Sequence, residues 1–433
     1  MAYGETATSS SPAEERAYRK VTWRLLPFLM TCYLVAYLDR VNIGFAKLQM
    51  LNDLQFSETV YGLGAGMFFI GYFFFEVPSN VILHKVGARL WIGRIMISWG
   101  IVSGAFMFVS TPTMFYALRF LLGIAEAGFF PGIILYLTYW YPSHRRAHMI
   151  ALFMAAIPLS GIVGGPLSGW IMTAFAGFHN LTGWQWLFVL EAIPALIIGV
   201  VTMIYLDNGV RSAKWLSEDE KRILEANLSH DQRSLPVHPS WSALASDRRL
   251  WRMCLIYFAS VVGNYGLTFW LPSLIAAAGV TDVLKIGLWT AVPYSAAIIF
   301  MLIIGRSADR RRERRWHTAV PMLMGAVGLT GSALVGTQTI PAMVFLTIAA
   351  CGLMTCAPLF WSLPTAILQG TAAAAGIAAI NSIGNLGGFV SPYVVGGLKD
   401  LTHSTALGMY VLSAVLVLGA ALIINLPAKM VNR

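Results

Sequence analysis

The chain has 433 residues, of which 57% are hydrophobic and 12% charged, with a net charge of +10 and a mean hydropathy of +0.67. A soluble domain carries about 25% charged residues, yet from Trp316 to Leu398 there is no Asp, Glu, Lys or Arg. Composition and clustering exclude an ordinary globular enzyme, and the position of the basic residues explains the positive charge without nucleic acid.

The polar residues 1–20 read as a flexible cytoplasmic tail. The apolar segment that follows carries Asp39–Arg40, which a signal-peptide core would not. Apolar runs bounded by charges or by Gly, Pro and Asn predict twelve helices. They lie near 22–46, 58–83, 91–110, 113–140, 147–174, 184–206, 251–278, 285–306, 317–336, 340–364, 371–397 and 405–427. Most reach the roughly 20 residues needed to span a bilayer. The expected class is an all-α membrane protein with two six-helix bundles, 21–206 and 251–427. Between them lies a charged segment, 207–250, and a short tail covers 428–433. Ser217 with Glu220 reads as a capping box that opens a surface helix in the central segment.

Of the 30 Lys and Arg, all but Arg40, Lys47, Arg119, Lys285 and Lys399 fall in segments assigned to one side. The positive-inside rule puts that side, with both termini, in the cytoplasm, here of a bacterial inner membrane. Cys32, Cys254, Cys351 and Cys356 lie in or beside apolar spans and read as small buried hydrophobes. There is no HExxH and no Walker-type loop, and the eight histidines sit singly. No metal and no enzymatic cofactor is expected.

Charges inside spans carry most of the functional signal. An ion at the bilayer centre costs about 2.5–3.5 kcal/mol on the insertion scale, so such residues mark pathways. Asp39 and Arg40 are neighbours, roughly 100° apart on a helix; one faces the cavity and the other a neighbouring helix. Arg119 and Glu126 are seven apart and share a face. Arg40 is the main candidate for substrate, because a guanidinium stays charged and grips a carboxylate through two parallel hydrogen bonds. Its alternative is an internal salt bridge to Asp39 or Glu126. Glu126 and Asp39 are the candidate proton carriers. Arg119 has three readings: a side chain snorkelling to the surface, a partner of Glu126, or a second anchor for the substrate. Glu76 and Glu191 lie close before Pro78 and Pro194 and read as partners of helix backbone freed by those prolines. The C-terminal half offers neutral candidates: Asn264, Trp361, Asn381 and Asn385. Amides suit a polyhydroxylated substrate, and Trp361 suits a ring or a sugar face. Any one of them alone fits a helix-packing role.

Two loops echo each other. Gly305-Arg-Ser-Ala-Asp309-Arg310 joins spans 8 and 9. Asn80-Val-Ile-Leu-His84-Lys85-Val-Gly87-Ala-Arg89 joins spans 2 and 3. The pattern resembles the loop signature of the major facilitator superfamily, and the resemblance covers the whole chain. It implies two bundles rocking around a central cavity, with a gating role for Gly87, Arg89, Gly305, Asp309 and Arg310. In the first copy Asn80 and His84 replace the expected Gly and Asp.

Tyr37-Leu-Asp39-Arg40-Val-Asn42, Glu76-Val-Pro-Ser-Asn80, Arg119-Phe-Leu-Leu-Gly-Ile-Ala-Glu126-Ala-Gly-Phe-Phe-Pro131-Gly and Gly183-Trp-Gln-Trp-Leu-Phe are similar to the anion:cation symporter family of that superfamily. This implies proton-coupled uptake of an organic carboxylate by a monomer, with the proton as coupling ion. It also implies that Tyr37 and Tyr72 line the site. A tartrate-like hydroxy acid is the expected substrate; the alternative is an aromatic carboxylate such as 4-hydroxyphenylacetate or phthalate. Gly161-xxx-Gly165-Pro166-xx-Gly169 resembles the antiporter signature of drug exporters, except that Trp170 stands in place of a glycine. Export by the same fold is therefore a further expectation.

Overall fold

The structure, a computed structural model, describes residues 11–232, 247–361, 363–364 and 371–428. Its regular elements are helices, with no strand among the described residues. Helix α1 (Pro12–Leu54) opens on Ser11, whose hydroxyl accepts the Glu14 N–H, with Pro12 in the first turn; both features favour a helix start. The flexible tail expected over 1–20 is therefore corrected. Residues 12–20 are the first turns of α1, and residues 1–10 lie outside the described set. The physical reason is docking. Lys20 pairs with Glu220 at 2.9 Å, Asn227 donates to Glu14 at 3.1 Å, and Arg145 reaches Glu14 at 3.4 Å.

The N-terminal half continues with α2 (Glu58–Val86), α3 (Ala88–Ala105), α4 (Pro112–Glu126), α5 (Phe129–Thr138), α6 (Ser143–Met154), α7 (Ala156–Ala174) and α8 (Gly183–Tyr205). Helix α9 (Glu218–Gln232) fills part of the central segment. It starts at the expected box, with Ser217 N–H on Glu220 and Glu220 N–H on Ser217 Oγ. The C-terminal half holds α10 (Arg248–Ala277), α11 (Val283–Arg311), α12 (Arg315–Leu334), α13 (Thr339–Phe360), α14 (Thr371–Asn385), α15 (Gly387–Thr402) and α16 (Ala406–Ile424).

Three expected continuous spans are broken. The fourth divides into α4 and α5 at Ala127–Gly128. Gly128 has φ +85°, and a Cβ there would overlap the Ser79 side chain, so the turn requires glycine. The fifth divides into α6 and α7 at Ala155, and the eleventh into α14 and α15 at Leu386. Ten stretches of the described chain are long and apolar enough to cross a membrane, counting α4–α5 as one and α7 together with the last turns of α6 as another. The remaining two expected spans are α12 and the broken pair α14–α15. Phe74, Ile197, Ile204, Leu288, Ile303 and Leu418 are exposed. Large apolar side chains facing outward suit lipid rather than water, and the chain is a multi-pass membrane protein.

The start of α1 meets α9 and Arg145, and the end of α16 meets Arg315; the end of each bundle that carries these basic connections is called here the basic end. The opposite end is the far end. Contact between the halves concentrates at the far end. There α2 packs on α15, Gly62 against Pro392 and Gly66 against Phe389, and α7 packs on α11, Gly165 against Gly287. The glycines at 161, 165 and 169 all face α11, so close helix packing accounts for their spacing. Trp170 instead points outward, 50% exposed.

An ion network ties the same end. Lys47 pairs with Glu58 at 2.7 Å and lies 3.3 Å from the centre of a Trp270 ring. Lys399 also pairs with Glu58. The Asp400 carboxylate accepts N–H groups from Glu58 and Thr59 at 3.0 and 2.7 Å, capping the start of α2. Tyr61 donates to the Phe269 carbonyl at 3.0 Å.

Candidate functional site

Between the halves lies a cavity of about 80 Å³, room for several water molecules at roughly 10–15 Å³ each. Arg40 of α1 stands in its wall. Tyr33, Tyr37 and Arg40 lie on one helical face, and all three line the cavity. The Arg40 guanidinium donates to Tyr265 Oη at 2.9 Å and forms an ion pair with Glu126. Around it stand the rings of Phe68 at 5.1 Å, Tyr37 at 5.7 Å and Tyr72 at 5.8 Å, within cation–π range. Arg40 Nε is buried and has no hydrogen-bond partner.

Glu126 is the last residue of α4, immediately before the Gly128 break. Discontinuous helices at membrane depth are tolerated where they line a cavity.

Asp39 points the other way, as its neighbour relation to Arg40 requires. It accepts from Ser103 of α3 and from Asn42 at 3.2 Å. Arg119 is corrected on two readings. At 1% exposure it does not snorkel, and it does not pair with Glu126. It donates to the Gly64 and Ala65 carbonyls of α2 at 3.3 and 3.1 Å and does not line the cavity. It ties α4 to α2.

Glu76 and Glu191 are corrected in their partners. Glu76 accepts from Asn381 of the opposite half at 2.7 Å, and the backbone near Pro78 is served by Asn80, which donates to the Glu76 carbonyl at 3.0 Å. Glu191 accepts from Ser168 of α7 at 2.8 Å. Each carboxyl takes a side-chain donor, because the carbonyls a proline frees are themselves acceptors.

The C-terminal half brings Asn264, Trp361, Asn381 and Asn385 to the same cavity. Asn264 Oδ1 is buried without a partner, and Trp361 packs on Tyr257 with centroids 4.8 Å apart. Tyr33, Phe69 and Tyr257 also line the cavity and were not among the expected site residues. For Tyr33 the signal was present: it sits four residues before Tyr37 and seven before Arg40. Phe69 and Tyr257 look like ordinary apolar-span residues, and only packing places them.

The loop pattern is redistributed. Gly87 ends α2 with φ +97°. Arg89 opens α3, its N–H on Asn208 at 3.1 Å and its side chain on the Met203 carbonyl. Gly305, Asp309 and Arg310 lie inside α11 rather than in a loop. Asp309 is exposed. His84, which stands where the first copy lacks an Asp, meets Tyr139 Oη at 3.1 Å.

Two bundles of membrane helices closing on a polar cavity with a buried arginine–carboxylate pair are the architecture of a solute transporter, not of an enzyme. The chain matches the family model described as Major Facilitator Superfamily over residues 29–392 and belongs to that family. It is 51% identical to a putative tartrate transporter of Agrobacterium vitis over 95% of this chain and 94% of that one. It is 50% identical to the putative metabolite transport protein NicT of Pseudomonas putida, over 96% and 95%. It is also 40% identical to a quinolone resistance transporter of Acinetobacter baumannii, over 96% of each.

Proposed function

We propose that this protein takes up an organic carboxylate together with protons by alternating access, with the basic end and both termini in the cytoplasm. The observation that carries the reading is the buried Arg40–Glu126 pair, whose guanidinium stands in the cavity wall with the carboxyl behind it. Arg40 is the one cation among the described residues lining that cavity, and its charge is spent on Glu126. A substrate carboxylate and the Glu126 carboxylate compete for it. A proton on Glu126 neutralises the acid and releases Arg40 to bind the anion; loss of that proton restores the internal pair and expels the anion. Tyr37, Tyr72, Asn264, Trp361, Asn381 and Asn385 surround the rest of the substrate. Asp39 adjusts the charge beside Arg40 from behind. Arg119 holds the helices that carry the pair. The cavity is small, so binding also requires the halves to shift, with Gly87 and Arg89 at the α2–α3 connection and Gly305, Asp309 and Arg310 in the last turns of α11 at the moving end.

A tartrate-like hydroxy acid is the preferred substrate. The amides at 264, 381 and 385 suit hydroxyls, and the similarity to a putative tartrate transporter points the same way. The aromatic wall of Tyr33, Phe69, Tyr72 and Trp361 favours a second reading, an aromatic carboxylate. The relative named for quinolone resistance supports a third, export by proton exchange.

The test is uptake by purified protein in liposomes under an inward proton gradient, with labelled tartrate, 4-hydroxyphenylacetate and galactonate. Gradient-driven accumulation of one of them, lost in Arg40→Ala, is the expected result. If no carboxylate moves inward while an outward flux is seen, the direction is export.

A further inference from the structure

Four carboxyls lie buried within the core of the N-terminal bundle: Asp39, Glu76, Glu126 and Glu191. Two guanidiniums, Arg40 and Arg119, share that interior. Arg40 is paired with Glu126, and the charge of Arg119 is felt by Asp39. Neither Glu76 nor Glu191 has an ion pair among the described residues; Glu76 accepts from Asn381 across the seam, whereas the surroundings of Glu191 are Ser168, Asn42 and a second acid, Asp39. An ionised carboxylate removed from water without a cation is normally neutralised rather than kept charged.

The hydrogen bonds around Glu191 leave two gaps, and Asp39 Oδ2 beside them is a third buried acceptor with no partner. Glu191 Oε1 accepts from Ser168 at 2.8 Å, but Oε2 is buried with no partner. Asn42 donates its Nδ2 to Asp39 at 3.2 Å and stands beside Glu191, while its own Oδ1 is buried with no partner. Both orphan atoms are acceptors, so they cannot satisfy one another. One proton on Glu191 Oε2 makes it a donor to Asn42 Oδ1 and closes both gaps at once. Buried polar groups are rarely left unpaired.

We propose that Glu191 is a proton-binding site, separate from the Arg40–Glu126 pair, and that Asn42 relays its state to Asp39. The site faces away from the substrate cavity. Glu191 lines instead an apolar groove of about 290 Å³ with Leu38, Leu167 and Trp170. The elements packed on α8 are α1, α3 and α7. The core and far end of α1 bring Asp39, Arg40, Lys47 and Asp53, the last accepting from Trp184 of α8 at 2.8 Å; at the basic end α1 brings Arg24, over the Tyr205 ring at 4.5 Å, and α3 brings Arg89 and Arg94; α7 brings no charge. The ionisable neighbour of Glu191 is Asp39.

The Asn42 amide turns its NH₂ to the ionised carboxylate and its oxygen to the protonated one. A proton placed on Asp39 therefore turns the amide end for end and releases the proton of Glu191. The two acids hold one proton between them and titrate as a unit. Loss of the last proton leaves two carboxylates around one amide, with only Ser103 and Ser168 besides. The consequence for transport rests on the symport reading: the charge beside Arg40 then depends on a proton held outside the substrate cavity.

The test is infrared spectroscopy of the full-length protein in lipid without substrate, comparing wild type, Glu191→Gln and Glu76→Gln. The expected result is a protonated-carboxyl band that disappears in Glu191→Gln, persists in Glu76→Gln, and shifts in Asn42→Ala. An acid region unchanged by Glu191→Gln in a protein that is monodisperse and fully helical would overturn the proposal. If Glu191→Gln does not fold, Asn42→Ala decides alone, and an unmoved band overturns it. Binding then gives an independent readout. Glutamine keeps a neutral donor at 191, so the alkaline loss of tartrate binding should move to higher pH. The expected displacement is at least about one unit, the scale of coupling that defines an interacting pair; an unmoved alkaline limb refutes the relay. Because the infrared readout needs no substrate, loss of the band together with an absence of proton-driven uptake would fault the symport reading and leave the site standing.

Discussion

The two six-helix halves are built alike and carry different chemistry. The N-terminal bundle buries Asp39, Arg40, Glu76, Arg119, Glu126 and Glu191 in its core, and the C-terminal bundle buries no charged side chain among the described residues. Its buried polar groups are hydroxyls, such as Ser260, Thr290, Thr355 and Ser391. The cavity lies on the seam, so every substrate would meet both. One half offers charge that a proton can switch, and the other offers neutral hydrogen bonds and ring faces that do not change with pH. This division keeps the expensive groups in one rigid body, where each can find a partner before the bodies move. Among the described residues, the strong bonds between the halves are Arg40 with Tyr265 and Glu76 with Asn381 at the cavity, and at the far end the Lys47–Glu58–Lys399 network, the Asp400 cap on α2 and Tyr61 on the Phe269 carbonyl.

The sharpest way to break the comparison is to remove its central charge. Arg40→Ala leaves Glu126 buried without its cation, a change that costs about 3–5 kcal/mol. Substrate binding, followed by calorimetry, should weaken by about 100-fold or more. Arg40→Lys should not restore it, because a single ammonium cannot hold a carboxylate bidentately and Tyr265 at once. Full rescue by lysine would mean that charge alone suffices.

Arg119 tests whether every charge of this half serves the substrate. Arg119→Met removes two charged hydrogen bonds to α2, at about 1.5–3 kcal/mol each by general experience. Thermal stability should fall while the affinity of the surviving folded protein changes less than about tenfold. Collapse of affinity at unchanged stability would place Arg119 in the site.

Glu126→Gln sharpens the proton side. On the proposed coupling the anion binds when Glu126 carries a proton, so affinity should fall as pH rises, by at most about tenfold, or 1.4 kcal/mol, per unit. Glutamine is permanently neutral, and the part of the slope set by Glu126 should disappear, leaving only the dependence set by Glu191 and Asp39. A slope that survives intact would move the proton to another group.

Smaller effects are expected where the halves merely touch. Lys399→Met removes a partly exposed ion pair worth at most about 1 kcal/mol. Cysteines placed at the far end should then react with a membrane-impermeant thiol reagent a few times faster. Asn381→Ala loses one hydrogen bond, about 0.5–1.5 kcal/mol, and should weaken a hydroxy acid more than an aromatic acid. Equal losses for both would deny the neutral half a part in selection.

Much of this division was legible in the sequence because burying an ion is costly enough to be informative by itself. Asp39, Arg40, Arg119 and Glu126 stand out from apolar runs without any structure. The opposite orientations of Asp39 and Arg40 follow from helical geometry. The C-terminal candidates were legible as polar residues in apolar helices, and all four reach the cavity. Arg119 and Glu191 were not legible in the same way. Their types predict a buried ion, but the donors and acceptors they meet, the Gly64 carbonyl and the Ser168 hydroxyl, come from helices distant in the chain. Glu76 illustrates the same limit, since its partner Asn381 is 305 residues away.

The sequence by itself determined the class: apolar runs of spanning length, basic connections on one side, and a few ions that a bilayer interior would reject unless they had work to do. Those are properties of single segments, set by transfer energies and helix periodicity, and they need no knowledge of neighbours. Tertiary structure alone decided which ions pair, which face the cavity and which ends of the two bundles are tied together. Tertiary packing sets Glu126 of α4 on Arg40 of α1, and close approach at Gly62, Gly165 and Gly169 brings the halves together at one end. Such outcomes depend on distances between residues hundreds of positions apart, and a local pattern carries no information about them.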